Sequence, residues 1–115
     1  MRKFFNGFKF ALSGLMFASK TQLNIKVQLF AAVIVVVAGF LFNISFSEWL
    51  AITICIGCVL AAELLNTSIE ALVDLVSPEF NPKAGLVKDI AAAAVLIVAL
   101  MALTVALIIF VPKIF

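Results

Sequence analysis

Three stretches of this chain are nearly or wholly free of charge: Val27 to Ser47, Trp49 onward through Ala62, and Ile90 to Pro112. Inside lipid every backbone N–H and C=O must be satisfied within its own segment, so runs like these are driven to be helices. At about 20 apolar residues per crossing the chain has room for three or four spans. With 115 residues, 66% of them hydrophobic and only 12% charged, it makes one domain, residues 1–115, and a large soluble catalytic domain is excluded.

The spans are expected at about 27–46, 48–76 and 88–111. Ahead of them, Phe4, Phe5, Phe8, Ala11, Leu12, Leu15 and Met16 fall on one side of a helical wheel, with Lys3, Asn6, Lys9, Ser13 and Lys20 on the other and Phe10 and Phe17 as exceptions. That pattern predicts an amphipathic helix over about 2–20 lying in the membrane interface. Lys9 and Lys20 interrupt any signal-peptide core, and no small-residue cleavage site follows. Asn43 to Ser47 reads as a tight turn with Ser47 as N-cap, Glu48 in the first turn and Trp49 at the interface. The second span, extended to Val76, is longer than the hydrocarbon is thick, so its last turns project into the headgroups or beyond. Pro78, Pro82 and Gly85 then break the helix over 77–85. The fold class is thus an all-α membrane protein: an amino-terminal surface helix plus three transmembrane helices.

Where the second span leaves the membrane, Glu63, Asn66, Glu70 and Asp74 share one narrow arc of the helix. An acidic face at the end of an apolar helix is costly to place, and Glu63 lies deepest. A carboxylate at that depth suits proton transfer, whereas Glu70, Asp74 and Asp89 alone would also fit a solvated helix end paired with Lys83 and Lys88. Ala91 to Ala94 reads as ordinary close helix packing. Cys55 and Cys58 spell Cys-x-x-Cys, but within an apolar helix, with no thioredoxin-like context and no His in the chain, they read as packing residues.

Basic residues set the orientation. Arg2, Lys3, Lys9, Lys20, Lys26, Lys83 and Lys88 fall on one side of a three-span protein and only Lys113 on the other, which puts the amino terminus and the acidic face in the cytoplasm. Phosphoryl transfer needs hard oxygen ligands for Mg²⁺, cations for phosphate and a base for the acceptor, and this end supplies all three types. No P-loop and no protein-kinase signature is present, so a nucleotide site here is of another kind.

The string Glu63-Leu64-Leu65-Asn66-Thr67-Ser68-Ile69-Glu70-Ala71-Leu72-Val73-Asp74, followed by Lys88-Asp89-Ile90-Ala91-Ala92-Ala93-Ala94-Val95, resembles the signature of the small prokaryotic diacylglycerol kinases, a family that includes undecaprenol kinases. Gly14-Leu15 and Asn24 fit the same pattern, and the likeness spans nearly the whole chain. The resemblance implies a homotrimer in the bacterial cytoplasmic membrane that transfers the γ-phosphate of ATP, with Mg²⁺, to the hydroxyl of diacylglycerol or undecaprenol, in active sites shared between subunits. It further implies Glu63 as the catalytic base and Glu70 as ligand to Mg²⁺ and nucleotide. Asn66 and Asp74 support them, Lys88 and Asp89 contact phosphates and nucleotide, and Glu79, Phe80 and Asn81 form a nucleotide-facing loop. Gln22 stands at the family's second metal position, commonly Glu. Asn81 replaces a frequent His, and Phe10 an aromatic hydroxyl.

No nucleic-acid partner is expected. The rival reading from another class is a small proton-coupled transporter, which also uses one embedded Glu but needs four spans and has no use for Lys88-Asp89. A family member without catalysis, or a regulatory membrane peptide, is the remaining alternative. Nucleotide binding in detergent separates these from a kinase.

Overall fold

The computed structural model describes residues 1–115 as four helices with no strand: α1 (Arg2–Thr21), α2 (Leu23–Leu41), α3 (Phe46–Val76) and α4 (Pro82–Ile114). The last three are each long and apolar enough to cross a membrane. Only 10 of 115 residues are buried, so most of the apolar side chains face outward, which lipid tolerates and water does not.

The amphipathic α1 buries Ala18 alone, and Phe4, Phe5 and Phe8 stand exposed on its apolar side. It ends at one residue. Gln22 is extended (φ −105°, ψ 117°), its N–H donates to the Ala18 carbonyl at 2.9 Å, and α2 starts at Leu23. The helix therefore begins ahead of the charge-free run expected to span, taking in Asn24 and Lys26.

The turn between α2 and α3 is written into residues 39–49. Asn43 adopts the left-handed conformation (φ 51°), which Asn accepts more readily than most residues. The Asn43 N–H then donates to the Phe40 carbonyl at 3.4 Å and the Ile44 N–H to Gly39 at 3.2 Å, the paired bonds of a Schellman cap. The N-cap of α3 is Ser45, not Ser47 as expected. Ser45 Oγ accepts from the Glu48 N–H at 3.3 Å while Glu48 Oε1 accepts from the Ser45 N–H at 2.8 Å. Only Ser45 has an acid three residues on, which is what a reciprocal capping box requires. Ile44 before the cap and Trp49 after it both pack on the Ile44–Ile52–Ile109 core cluster, in the manner of a hydrophobic staple.

That cluster lies at the far end of the bundle, where Lys113 Nζ donates to Glu48 Oε2 at 3.1 Å and ties α4 to α3. Gly39 is required there: a Cβ would lie 2.6 Å from Trp49 Cη2. At the other end the break between α3 and α4 is shorter than the expected 77–85. Asn81 caps α4 through Oδ1, accepting from the Lys83 N–H at 2.9 Å, and Pro82 takes the first helical position, where its missing N–H costs nothing. Gly85, Lys88 and Asp89 are thereby helical, and at the other terminus Pro112 is inside α4, not its end. α3 packs chiefly against α4, with α2 more loosely against α3.

Candidate active site

The acidic arc of α3 divides into three steps between the apolar interior and the open end. Glu63 is the deepest, only 3% exposed, and its Oε2 accepts from Gln28 Nε2 of α2 at 3.4 Å, long for such a bond. One turn on, Asn66 is also buried, and its Nδ2 donates to Glu70 Oε1 at 2.9 Å. The i,i+4 spacing that places them on one face makes this bond available within the helix. Further out Lys88 Nζ of α4 donates to Asp74 Oδ1 at 2.5 Å, both side chains partly exposed.

Two hollows flank this row. Beyond Asp74 and Lys88 a cleft of about 200 Å³ opens between the end of α3, the loop and the start of α4, with Glu79, Phe80, Asn81 and Gly85 in its wall. On the membrane side a groove of about 230 Å³ runs between α2, α3 and α4. Eleven of its twelve lining residues are hydrophobic, among them Ala31, Ile52, Val59 and Ala102, so it suits hydrocarbon; the exception is Gln28. Glu63 sits one turn beyond Val59 and Leu60 of that groove, at its polar end.

The structure brings together Asp74, Glu79, Phe80, Asn81 and Lys88 at the cleft and Asn66 with Glu70 beside them. It does not join the others. Gln22, at the α1–α2 junction, makes no side-chain hydrogen bond to Glu70 or any other group, and exposed Asp89 neither pairs with a cation nor lines the cleft. Gln28 was not among the expected residues. A neutral amide inside an apolar run carries no pattern of its own, and its partner is 35 positions away on another helix.

For a metal the donor set is informative. Asn66 Oδ1 is buried and accepts no hydrogen bond, while the Nδ2 of the same amide donates to the Glu70 carboxylate. Together they offer hard oxygen, which fits Mg²⁺. No group of three or more His, Cys, Asp or Glu converges to hold a metal without help. A cation there needs further oxygens, such as the phosphates of a nucleotide.

Taken together, the fold and the site define a multi-span membrane protein that carries its reactive groups at one end of the bundle, between a hydrocarbon groove and a polar cleft. The chain belongs to the prokaryotic diacylglycerol kinase family, whose model matches residues 9–110. It is 38% identical over 113 residues to an undecaprenol kinase of Bacillus subtilis (strain 168), covering 98% of this chain and 92% of that one. It is also 38% identical over 101 residues to a diacylglycerol kinase of Synechocystis sp. (strain ATCC 27184 / PCC 6803 / Kazusa), covering 85% of this chain and 57% of the relative. The family is one of lipid kinases, and this chain is a lipid kinase by that membership.

Proposed function

We propose that the protein transfers the γ-phosphoryl group of ATP to the primary hydroxyl of undecaprenol at the cytoplasmic face of the bacterial inner membrane. The observation that carries this reading is the position of buried Glu63, between an apolar groove and the polar row that leads to the cleft. A lipid whose chain lies in the groove brings its hydroxyl to Glu63, which takes the proton. The hydroxyl oxygen forms a bond to the γ-phosphorus as the bond to the β-phosphate oxygen breaks, and ADP leaves.

Lys88, paired with Asp74, would meet phosphate oxygens, and Glu79, Phe80 and Asn81 would border the nucleotide in the cleft, with Asp89 next to Lys88 but outside the cleft wall. Glu70 and Asn66 Oδ1 would hold Mg²⁺ brought in with the nucleotide, and Gln22, which the fold leaves apart from Glu70, would reach the ion only as a neutral amide ligand. The ion, when bound, neutralises charge on the phosphates. Seven of the eight basic residues on the cleft side support a cytoplasmic amino terminus. A homotrimer accords with a cleft open on one side and with so little of the chain buried.

The likeness to an undecaprenol kinase over 98% of this chain supports a polyprenol over diacylglycerol, and the apolar groove suits its hydrocarbon chain. Purified protein given labelled ATP and each lipid in parallel tests this. Undecaprenol should be phosphorylated with the higher kcat/KM. Preference for diacylglycerol would overturn the choice of lipid, and transfer to neither would overturn the activity.

A further inference from the structure

Gln28 is the one polar residue of the hydrocarbon groove, and it touches Glu63. Its Nε2 donates to Glu63 Oε2, while its Oε1 is buried and has no partner. A buried carbonyl oxygen left without a donor is costly unless some state of the molecule supplies one. Before phosphoryl transfer nothing near it does: Glu63 as a carboxylate only accepts, and the rest of the groove is apolar.

We propose that Gln28 is a positioning residue that holds Glu63 in both of its protonation states; this rests on the reading of Glu63 as the base. Ahead of transfer the amide N–H donates to the carboxylate and turns the other carboxylate oxygen toward the lipid hydroxyl. During transfer the lipid O–H proton moves to Glu63, the new O–P bond forms, and the P–O bond to ADP breaks. Glu63 is now an acid with an O–H to donate, and Gln28 Oε1 is the acceptor. A half-turn about the last side-chain bond exchanges the two ends of an amide, which are nearly the same size, without displacing the groove wall. A carboxamide carries its strong donor and its strong acceptor on two separate atoms of one arm, which is what such an exchange requires. When the phosphorylated lipid leaves, the proton passes to water and the first arrangement returns.

The test uses the full-length protein in detergent with undecaprenol and ATP, and compares Gln28→Met, Gln28→Asn, Glu63→Gln and the double variant Gln28→Met/Glu63→Gln. Gln28→Met keeps the length and removes both hydrogen-bonding ends. It should lower kcat about ten-fold, the effect of one or two ordinary hydrogen bonds, with KM for both substrates within about two-fold. Its solvent deuterium isotope effect on kcat should exceed that of the wild type, because proton transfer becomes the slower step. A merely structural residue would not move that quantity. Gln28→Asn, with both ends on a shorter arm, should fall between Gln28→Met and wild type. In the Glu63→Gln background, Gln28→Met should change nothing further.

Nucleotide binding in the same detergent shows that each variant is folded. Wild-type turnover and isotope effect in folded Gln28→Met, with Glu63→Gln inactive, would overturn the role of Gln28 and leave Glu63 as the base. An active Glu63→Gln would overturn both. Loss confined to lipid KM would make Gln28 a wall of the groove and nothing more, and Gln28→Asn no faster than Gln28→Met would also count against the two-ended role.

Discussion

Gly39 and Trp49 give the sharpest test of how the far end of the bundle is built. In Gly39→Ala the new methyl group would lie 2.6 Å from Trp49 Cη2, 2.9 Å from Cζ2 and 3.1 Å from Ile44 Cδ1. Ordinary contact begins near 3.5 Å, so the indole must retreat by roughly 1 Å from a site where it also packs on Phe40, ring centroids 4.9 Å apart. Forcing a methyl into a packed contact costs about 1–3 kcal/mol. Against this, alanine in a helix interior is favoured over glycine by about 0.8–1 kcal/mol. The net expectation is a loss of about 1 kcal/mol. Trp49→Leu removes the obstructing ring, so in that background Gly39→Ala should be neutral or stabilising by up to about 1 kcal/mol. Reversible unfolding in mixed micelles with increasing SDS measures all four corners of the cycle. Equal effects of Gly39→Ala with and without Trp49 would refute the contact.

Lys88→Met should raise KM for ATP about ten-fold or more while moving stability by less than about 1 kcal/mol, since a partly exposed ion pair contributes little to folding; equal damage to stability and KM would contradict the assignment to phosphate. Gln22→Glu should lower the Mg²⁺ concentration giving half-maximal activity, with little change in KM for lipid, because Mg²⁺ prefers anionic oxygen; an unchanged Mg²⁺ dependence would place residue 22 away from the metal. A cysteine at Lys113, in a background with Cys55→Ala and Cys58→Ala, should react with an impermeant thiol reagent from outside the cell, and labelling only from the cytoplasmic face would invert the topology.

The spans were legible because lipid leaves the backbone one solution, and the surface helix because Phe4, Phe5 and Phe8 keep the side opposite the lysines, with Phe10 and Phe17 as exceptions. Glu70 beside Asn66 was legible too, since spacing of four within one helix is a contact. The start of α3 was misread although its signal was present: Ser45 and Glu48 stand three apart, and that reciprocal spacing outranks the nearer Ser47. Asn81-Pro82 likewise announces the start of α4 before Lys88. The Asp74–Lys88 pair and the Gln28–Glu63 contact were not legible as contacts. Each joins two helices, and which faces meet is decided by packing that no single run of residues encodes.

The one-residue joint at Gln22 sets a rotational phase. With a single extended residue between α1 and α2, the angular position of every side chain on the surface helix is geared to the first span. Each residue added to or removed from the carboxyl-terminal end of α1 turns the rest of that helix by about 100°. One such step would roll the Phe4, Phe5 and Phe8 side away from the lipid and carry Lys3 or Lys9, according to its direction, toward it. A substitution at this corner leaves that phase untouched, whereas a single inserted codon would shift it for the whole surface helix while leaving the sequence of every span intact.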